Sequence, residues 1–279
     1  MNRTAKSEAA SPVFGLIVIG DEILSGRRTD KHLSKVIELL QARGLSLEWS
    51  MFVGDDRSRI TAVLRDAFAS GDVVFSCGGI GATPDDHTRQ CAAAALARPL
   101  VLHPEARALI EQRMRDMAQE RGEPFDAERP DNVHRYNMGV FPEGARIIEN
   151  PYNRIPGFTC RGDAGGAVHF VPGFPVMAWP MIEAVLDQDY RAFHQANAWQ
   201  ERSIVVMGAI EAALTPLMES IERSFDVKVF SLPSVDHPAY GRHIELGVKG
   251  HPAVVGPAYD DLLRGLRGFG AQLGPEMVR

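Results

Sequence analysis

The chain has 279 residues, 45% of them hydrophobic, which is enough for one large or two modest domains with cores of their own. Acidic residues number 36 against 30 Lys and Arg, a net charge of −6, so the chain lacks the basic footprint that nonspecific nucleic-acid binding needs. Its three cysteines, Cys77, Cys91 and Cys160, form no CxxC pair, which argues against a disulfide framework and a structural zinc site and fits a reducing cytoplasm. Residues 1–12 are polar, rich in Ser and Ala and without an apolar signal-peptide core, and are expected to form a disordered lead-in. No later run approaches the length of a membrane span, so a soluble globular protein without a membrane partner is expected.

Residues 13–19 form a continuous apolar run and predict a strand buried on both faces. Leu33, Val36, Ile37, Leu39 and Leu40 then mark one side of a helix that ends at Gly44. A second strand is expected over 45–53, a helix along Ile60, Val63, Leu64, Ala67 and Phe68, and a third strand over 73–77. Such alternation predicts a parallel sheet covered by helices. Further helices are expected from Asp86 through the alanine-rich stretch 91–96, and from Pro104 to about Gln119. Between 122 and 175 Pro, Gly and Asn interrupt short apolar runs at 146–148 and 168–171, and loops with short strands are expected. A helix returns over 176–192. Strand 203–206, helix 210–225, strands 228–232 and 243–248 and helix 259–269 then suggest a small α+β domain with an antiparallel sheet of the split βαβ kind. Polar residues at 195–202 mark the boundary, giving domains 13–195 and 196–279.

Three acidic pairs follow the first three strands, Asp21-Glu22, Asp55-Asp56 and Asp85-Asp86. In an open α/β sheet the carboxyl ends of the strands share one edge, where ligands bind at the reversal of strand order. Asp56 and Asp86 could each simply cap a helix. Their recurrence at three successive strand ends favours a shared acidic site. The third pair stands behind Gly78, Gly79 and Gly81, whose lack of a Cβ lets backbone amides approach an anion. Carboxylates beside a phosphate site repel the ligand unless a divalent cation joins them. Arg27, Arg28, Lys31 and His32 are weaker anion candidates, His87 reads as a helix-start residue, and Cys77 reads as a buried structural thiol. No GxSxG elbow, HExxH pair, GxxxxGK[ST] loop or GxGxxG after a strand is present.

Residues 19–26, 53–56, 78–88 and 171–175 together resemble the molybdopterin-binding domain superfamily, and most closely the N-terminal part of CinA-type competence/damage-inducible proteins. The molybdopterin-like domain of FAD synthases is also similar. The resemblance covers about 13–185 and implies a three-layer α/β fold with a mostly parallel sheet, followed by the smaller α+β domain. It further implies a nucleotide or pterin phosphate as ligand and chemistry at a phosphoanhydride: adenylyl transfer to molybdopterin, or hydrolysis of ADP-ribose-type compounds or of FAD. On that basis Asp86 and Asp55 are the expected catalytic residues. Asp86, Asp55 and Asp21 would hold Mg, Mn or Co. Gly20, Glu22, Gly78, Gly79, Gly81, Thr83, Asp85, Thr88, Pro172 and Gly173 would bind the ligand, the loop glycines through their amides. Molybdopterin is a possible ligand, and self-association is the family habit. Ala82, Asn153, Ile155 and Met177 depart from the family pattern, as does the absence of an asparagine near Lys31. Met177 removes a potential metal or hydroxyl partner, so two functions stay open, a metal-dependent nucleotide pyrophosphohydrolase and a noncatalytic binding module.

Overall fold

The computed structural model describes residues 12–195 and 199–279, so the expected lead-in lies, but for Pro12, outside the described residues. The chain divides into two compact units between His194 and Gln195. In the first unit the elements run β1 (Phe14–Ile19), α1 (Asp21–Leu24), α2 (His32–Gln41), β2 (Leu47–Val53), α3 (Arg57–Ser70) and β3 (Val73–Cys77). They continue through α4 (Thr88–Leu96), β4 (Leu100–Leu102), α5 (Pro104–Glu120), α6 (Pro130–Tyr136), β5 (Val140–Pro142), β6 (Arg146–Ile148), β7 (Gly157–Arg161), β8 (Ala167–Val171) and α7 (Pro175–Asp189).

Six strands form the main sheet in the order β2-β1-β3-β8-β7-β6. The first four are mutually parallel, and β7 and β6 add antiparallel neighbours at one side. Strand order reverses at β1, whose two neighbours follow it in the chain, so the crevice between the ends of β1 and β3 is the place where such sheets bind ligands. Every residue of β1 is buried because helices cover both sides. Phe14, Leu16 and Val18 pack with Val36 and Leu40 of α2 and with Met181 and Ile182 of α7. Ile17 and Ile19, on the other face, pack with Ile60 and Leu64 of α3 and Cys91 of α4. Each such side chain contributes about 1.5–3 kcal/mol, so a one-residue slip of β1 would misplace an entire set. The result is the expected three-layer α/β architecture.

Several helix starts follow local chemistry. The Asp56 carboxylate caps α3 by accepting from the Arg59 amide at 2.8 Å. The Asp30 carboxylate accepts from the His32 and Leu33 amides at 2.9 and 3.0 Å and fixes the start of α2. By contrast α4 begins at Thr88 after His87, two residues later than the sequence pattern suggests, because Asp86 folds back on Thr83 and caps no helix.

The loosely patterned region hides real structure. Helix α6 and strand β5, which pairs antiparallel with β4, lie within it, and β8 is a fully buried strand in register with β3 from Val73↔Ala167 to Cys77↔Val171. In the second unit β9 (Gln200–Met207), α8 (Glu211–Ser224), β10 (Val227–His237), β11 (Gly241–Gly250), α9 (Pro252–Gly268) and β12 (Gln272–Val278) form a split βαβ arrangement with antiparallel order β10-β11-β9-β12. The sequence pattern misses β12, a largely exposed strand containing Gly274 and Pro275, and starts α9 too late. Among the described residues no helix is long and apolar enough to cross a membrane.

Candidate active site at the carboxyl edge of the sheet

The strand ends of β1, β3 and β8, with the β2 end at Asp55, open onto a cleft of about 430 Å³. Gly20, Glu22, Asp55, Gly78, Gly79, Gly81, Thr83, Asp85, Asp86, Pro172 and Gly173 all line it, so most of the residues singled out in the sequence share one cavity. Asn150, Asn153, Ile155 and Met177 also line it and form a neutral stretch of its wall.

Asp86 is held by its own loop. Its Oδ2 accepts from the Thr83 amide at 2.9 Å and from Thr83 Oγ1 at 2.5 Å. Oδ1 has no hydrogen-bond partner among the described residues and remains available to the cleft. Asp55 is anchored differently, through a reciprocal pair: its Oδ2 accepts from the Asp21 amide at 2.9 Å, and Asp21 Oδ1 accepts from the Asp55 amide at 3.1 Å. Burial pushes the Asp55 carboxyl above its usual range, and the charges of Asp21, Glu22 and Asp85 push it further, while the Asp21 amide works against them. A carboxylate crowded by three others favours a cation nearby.

The structure corrects several site assignments. Asp21 is not in the cleft wall; its carboxylate ties the β1 end to the β2 end. Among the described residues no three His, Cys, Asp or Glu side chains group closely enough to hold a metal ion, so the Asp21, Asp55 and Asp86 set is not assembled as one cage. Thr88 is fully buried behind the loop, where its hydroxyl donates to the Gly78 carbonyl at 3.2 Å. Gly78 presents no free amide, because its N–H donates to the Val171 carbonyl at 3.0 Å. What requires glycine there is space: Gly78 has φ +108°, and a Cβ would overlap the Ile19 carbonyl oxygen. A Cβ on Gly81 would meet Asp86 Oδ2 at 2.6 Å. The amides of Gly79 and Gly81 donate to no group among the described residues, and these two fit an anion.

Arg89, on the first turn of α4, supports the glycine loop and carries no sequence signal. It is buried, and its guanidinium donates to the carbonyls of Ile80 and Gly81, the latter at 2.7 Å, pinning the glycine loop from behind. Burial lowers its pKa and the Asp86 charge partly restores it. On the neutral wall the buried Asn150 amide donates to Asn153 Oδ1 and the Ile155 carbonyl at 2.8 and 2.9 Å, and Asn153 Nδ2 contacts Met177 Sδ at 3.3 Å. Two departures from the family pattern therefore touch each other across this wall. Cys77 is buried, its thiol pushed well up by desolvation, and it cannot serve as a nucleophile.

Fold and cleft together define an α/β ligand-binding domain with an acidic site at the switch point of a parallel sheet. Residues 15–192 match the family described as probable molybdopterin binding domain, and the chain belongs to that family. It is similar to a CinA-like protein of Syntrophotalea carbinolica, 30% identical over 228 residues that cover 77% of this chain and 51% of that one. A CinA-like protein of Citrifermentans bemidjiense is 32% identical over 205 residues, 73% of this chain and 46% of its own length. The chain thus spans about half the length of these curated relatives. A solved structure from Thermoplasma acidophilum, described as the protein CinA with unknown function, is 28% identical with a TM-score of 0.53 and covers 63% of this chain and 97% of its own.

Proposed function

We propose that the cleft binds a nucleotide or pterin through its phosphates and, with a divalent ion, hydrolyses a phosphoanhydride of the ADP-ribose or FAD kind. One observation carries this reading. Glu22, Asp55, Asp85 and Asp86 line the same cavity as the open amides of Gly79 and Gly81, at the edge where such sheets bind ligands. Anion donors and carboxylates in one cavity are compatible when a cation links them. Mg²⁺ is commonly held by one or two carboxylates plus the substrate's phosphates, so the lack of a three-residue cage suits a ligand-completed site. Asp86 Oδ1 and Asp55 are the groups that fit it.

Such an ion would neutralise phosphate charge as a Lewis acid. The Gly79 and Gly81 amides would bind the phosphate oxygens, with Arg89 keeping the loop in shape. Asp55, as a ligand of that ion, would help it orient and activate the attacking water. Water adds to phosphorus, the bridging P–O bond breaks, and AMP leaves with ribose 5-phosphate from ADP-ribose or FMN from FAD.

The neutral Asn153 and Met177 contact favours a second reading, a noncatalytic module for molybdopterin or a nucleotide. A panel of ADP-ribose and FAD with Mg, Mn or Co separates them. AMP release that Asp86→Asn abolishes supports hydrolysis, whereas a raised melting temperature without turnover supports the module. Self-association, implied by the family, predicts a mass above 30.6 kDa in light scattering.

A further inference from the structure

The connection between β6 and β7 borders two hollows at once. Asn150 and Asn153 line the acidic cleft and also a second cavity of about 490 Å³, to which Tyr152 and Arg154 of the connection and Arg113 and Asp116 of α5 contribute. The flanking strands pair where the connection begins and ends, at Ile148↔Gly157, so it is the tip of a hairpin on a narrow base.

This tip is a hydrogen-bonded body of its own. Asn150 Oδ1 accepts from the Tyr152 amide and the Asn150 carbonyl from the Arg154 amide, both at 3.0 Å. Asn150 Nδ2 donates to Asn153 Oδ1 and to the Ile155 carbonyl, and Asn153 Oδ1 also accepts from the Ile155 amide. These bonds hold Arg154 at φ +65°, a left-handed conformation that residues other than glycine keep only where their surroundings fix it. Among the described residues only two side-chain hydrogen bonds lead from the tip to the helices around it. On the cleft side Asn153 Nδ2 meets Met177 Sδ of α7 at 3.3 Å, and on the side of the second cavity Arg154 Nε donates to Asp116 Oδ2 of α5 at 3.2 Å. A thioether is a weak acceptor, so the ion pair is the stronger tie.

We propose that Arg154 and Asp116 are positioning residues for the acidic cleft: their ion pair tethers the hairpin tip to α5 and holds the neutral wall back, keeping the cleft wide enough for a bulky ligand. With the pair released, the remaining tie is the one to Met177, and the tip moves as a body toward the cleft. The pair is largely exposed, so salt weakens it and the position of the wall follows ionic strength. Selection of ligands by size rests on the reading that the cleft takes phosphates.

The test follows the Met177 methyl group of the full chain by ¹³C NMR, with Met177→Leu assigning its signal. Asp116→Asn, which keeps an Oδ1 to accept from Gln112 Nε2, should shift that signal. Raising the salt concentration should move the parent chain in the same direction and leave the variant in place. Asp116→Arg combined with Arg154→Asp rebuilds the pair in reverse, aspartate tolerating the left-handed backbone, and should restore the parent signal. With Mn²⁺ present, Asp116→Asn should weaken FAD by about two- to fivefold and leave inorganic pyrophosphate unchanged. A signal that Asp116→Asn does not move, or FAD and pyrophosphate weakened alike, overturns the proposal. If neither compound binds the parent chain, the phosphate reading fails, and the methyl signal by itself decides whether the pair positions the wall.

Discussion

One wall of the acidic cleft is built from charged strand ends, the other from neutral loop side chains. Asp55 and Asp86 are fixed by backbone amides and a hydroxyl on short connections after β2 and β3, so their positions are set by the sheet itself. Asn150, Asn153 and Met177 are fixed mainly by one another, in a loop and on the first turn of α7. The difference divides the labour. Under the proposed function the charged wall would act on phosphate and cation, and the neutral wall would govern what else the ligand carries and how tightly a cation is held.

The strongest way to break this division is Asp86→Asn or Asp55→Asn. Either should lower AMP release by on the order of 100-fold or more, about 3 kcal/mol of barrier, with the fold retained. Activity within a few-fold of the parent chain would shift the chemistry away from the charged wall. Next is Gly79→Ala. With φ at +67° and an added Cβ overlapping Thr88 Oγ1, it should cost roughly 2–3 kcal/mol of stability, read by urea unfolding. An unchanged midpoint would show that the loop can relax.

Acid titration sharpens the contrast between the charged wall and the core beneath it. His169 on β8, buried between Thr159 and Tyr190 at 2.8 Å from each, has its pKa pushed down to about 3 by desolvation. The unfolded chain takes that proton first, so this contribution is full above the ordinary 6.5 and is lost as pH falls, by ~2 kcal/mol at about pH 5. Asp55 acts oppositely: its raised pKa favours the fold at low pH and loses that contribution as pH rises through the raised value. His169→Gln should flatten the decline in melting temperature between pH 7 and pH 5; an unchanged slope would place its origin elsewhere. The smallest effect is on the neutral wall, where Met177→Glu should tighten Mn²⁺ several-fold, about 1 kcal/mol, by adding a carboxylate. Unaltered Mn²⁺ affinity in calorimetry would exclude this wall from the cation site.

The charged wall was legible because it depends on local order. An apolar strand of a parallel sheet ends in Gly and acidic residues, and parallel topology brings those ends to one edge. The neutral wall was reached only through the family resemblance, which singled out Asn153, Ile155 and Met177, since 150–156 lies in the stretch where Pro, Gly and Asn erase periodicity. The short strand expected at 168–171 is β8, whose five residues are buried on both faces and so read as an apolar run without alternation. β12 escaped notice, being too exposed to show any apolar pattern.

By itself the sequence determined the strand and helix alternation, the family motifs and the candidacy of Asp55 and Asp86, because these follow from periodicity and nearest-neighbour chemistry. Only the tertiary structure decided that Asp21 and Thr88 support the site from outside the cleft, that Gly78 supplies space and no amide, and that Arg89 holds the loop. It alone ties the neutral wall to α5 through Arg154 and Asp116. Each of these depends on partners at least 8 residues away in the chain, and one dimension carries no record of which groups will meet.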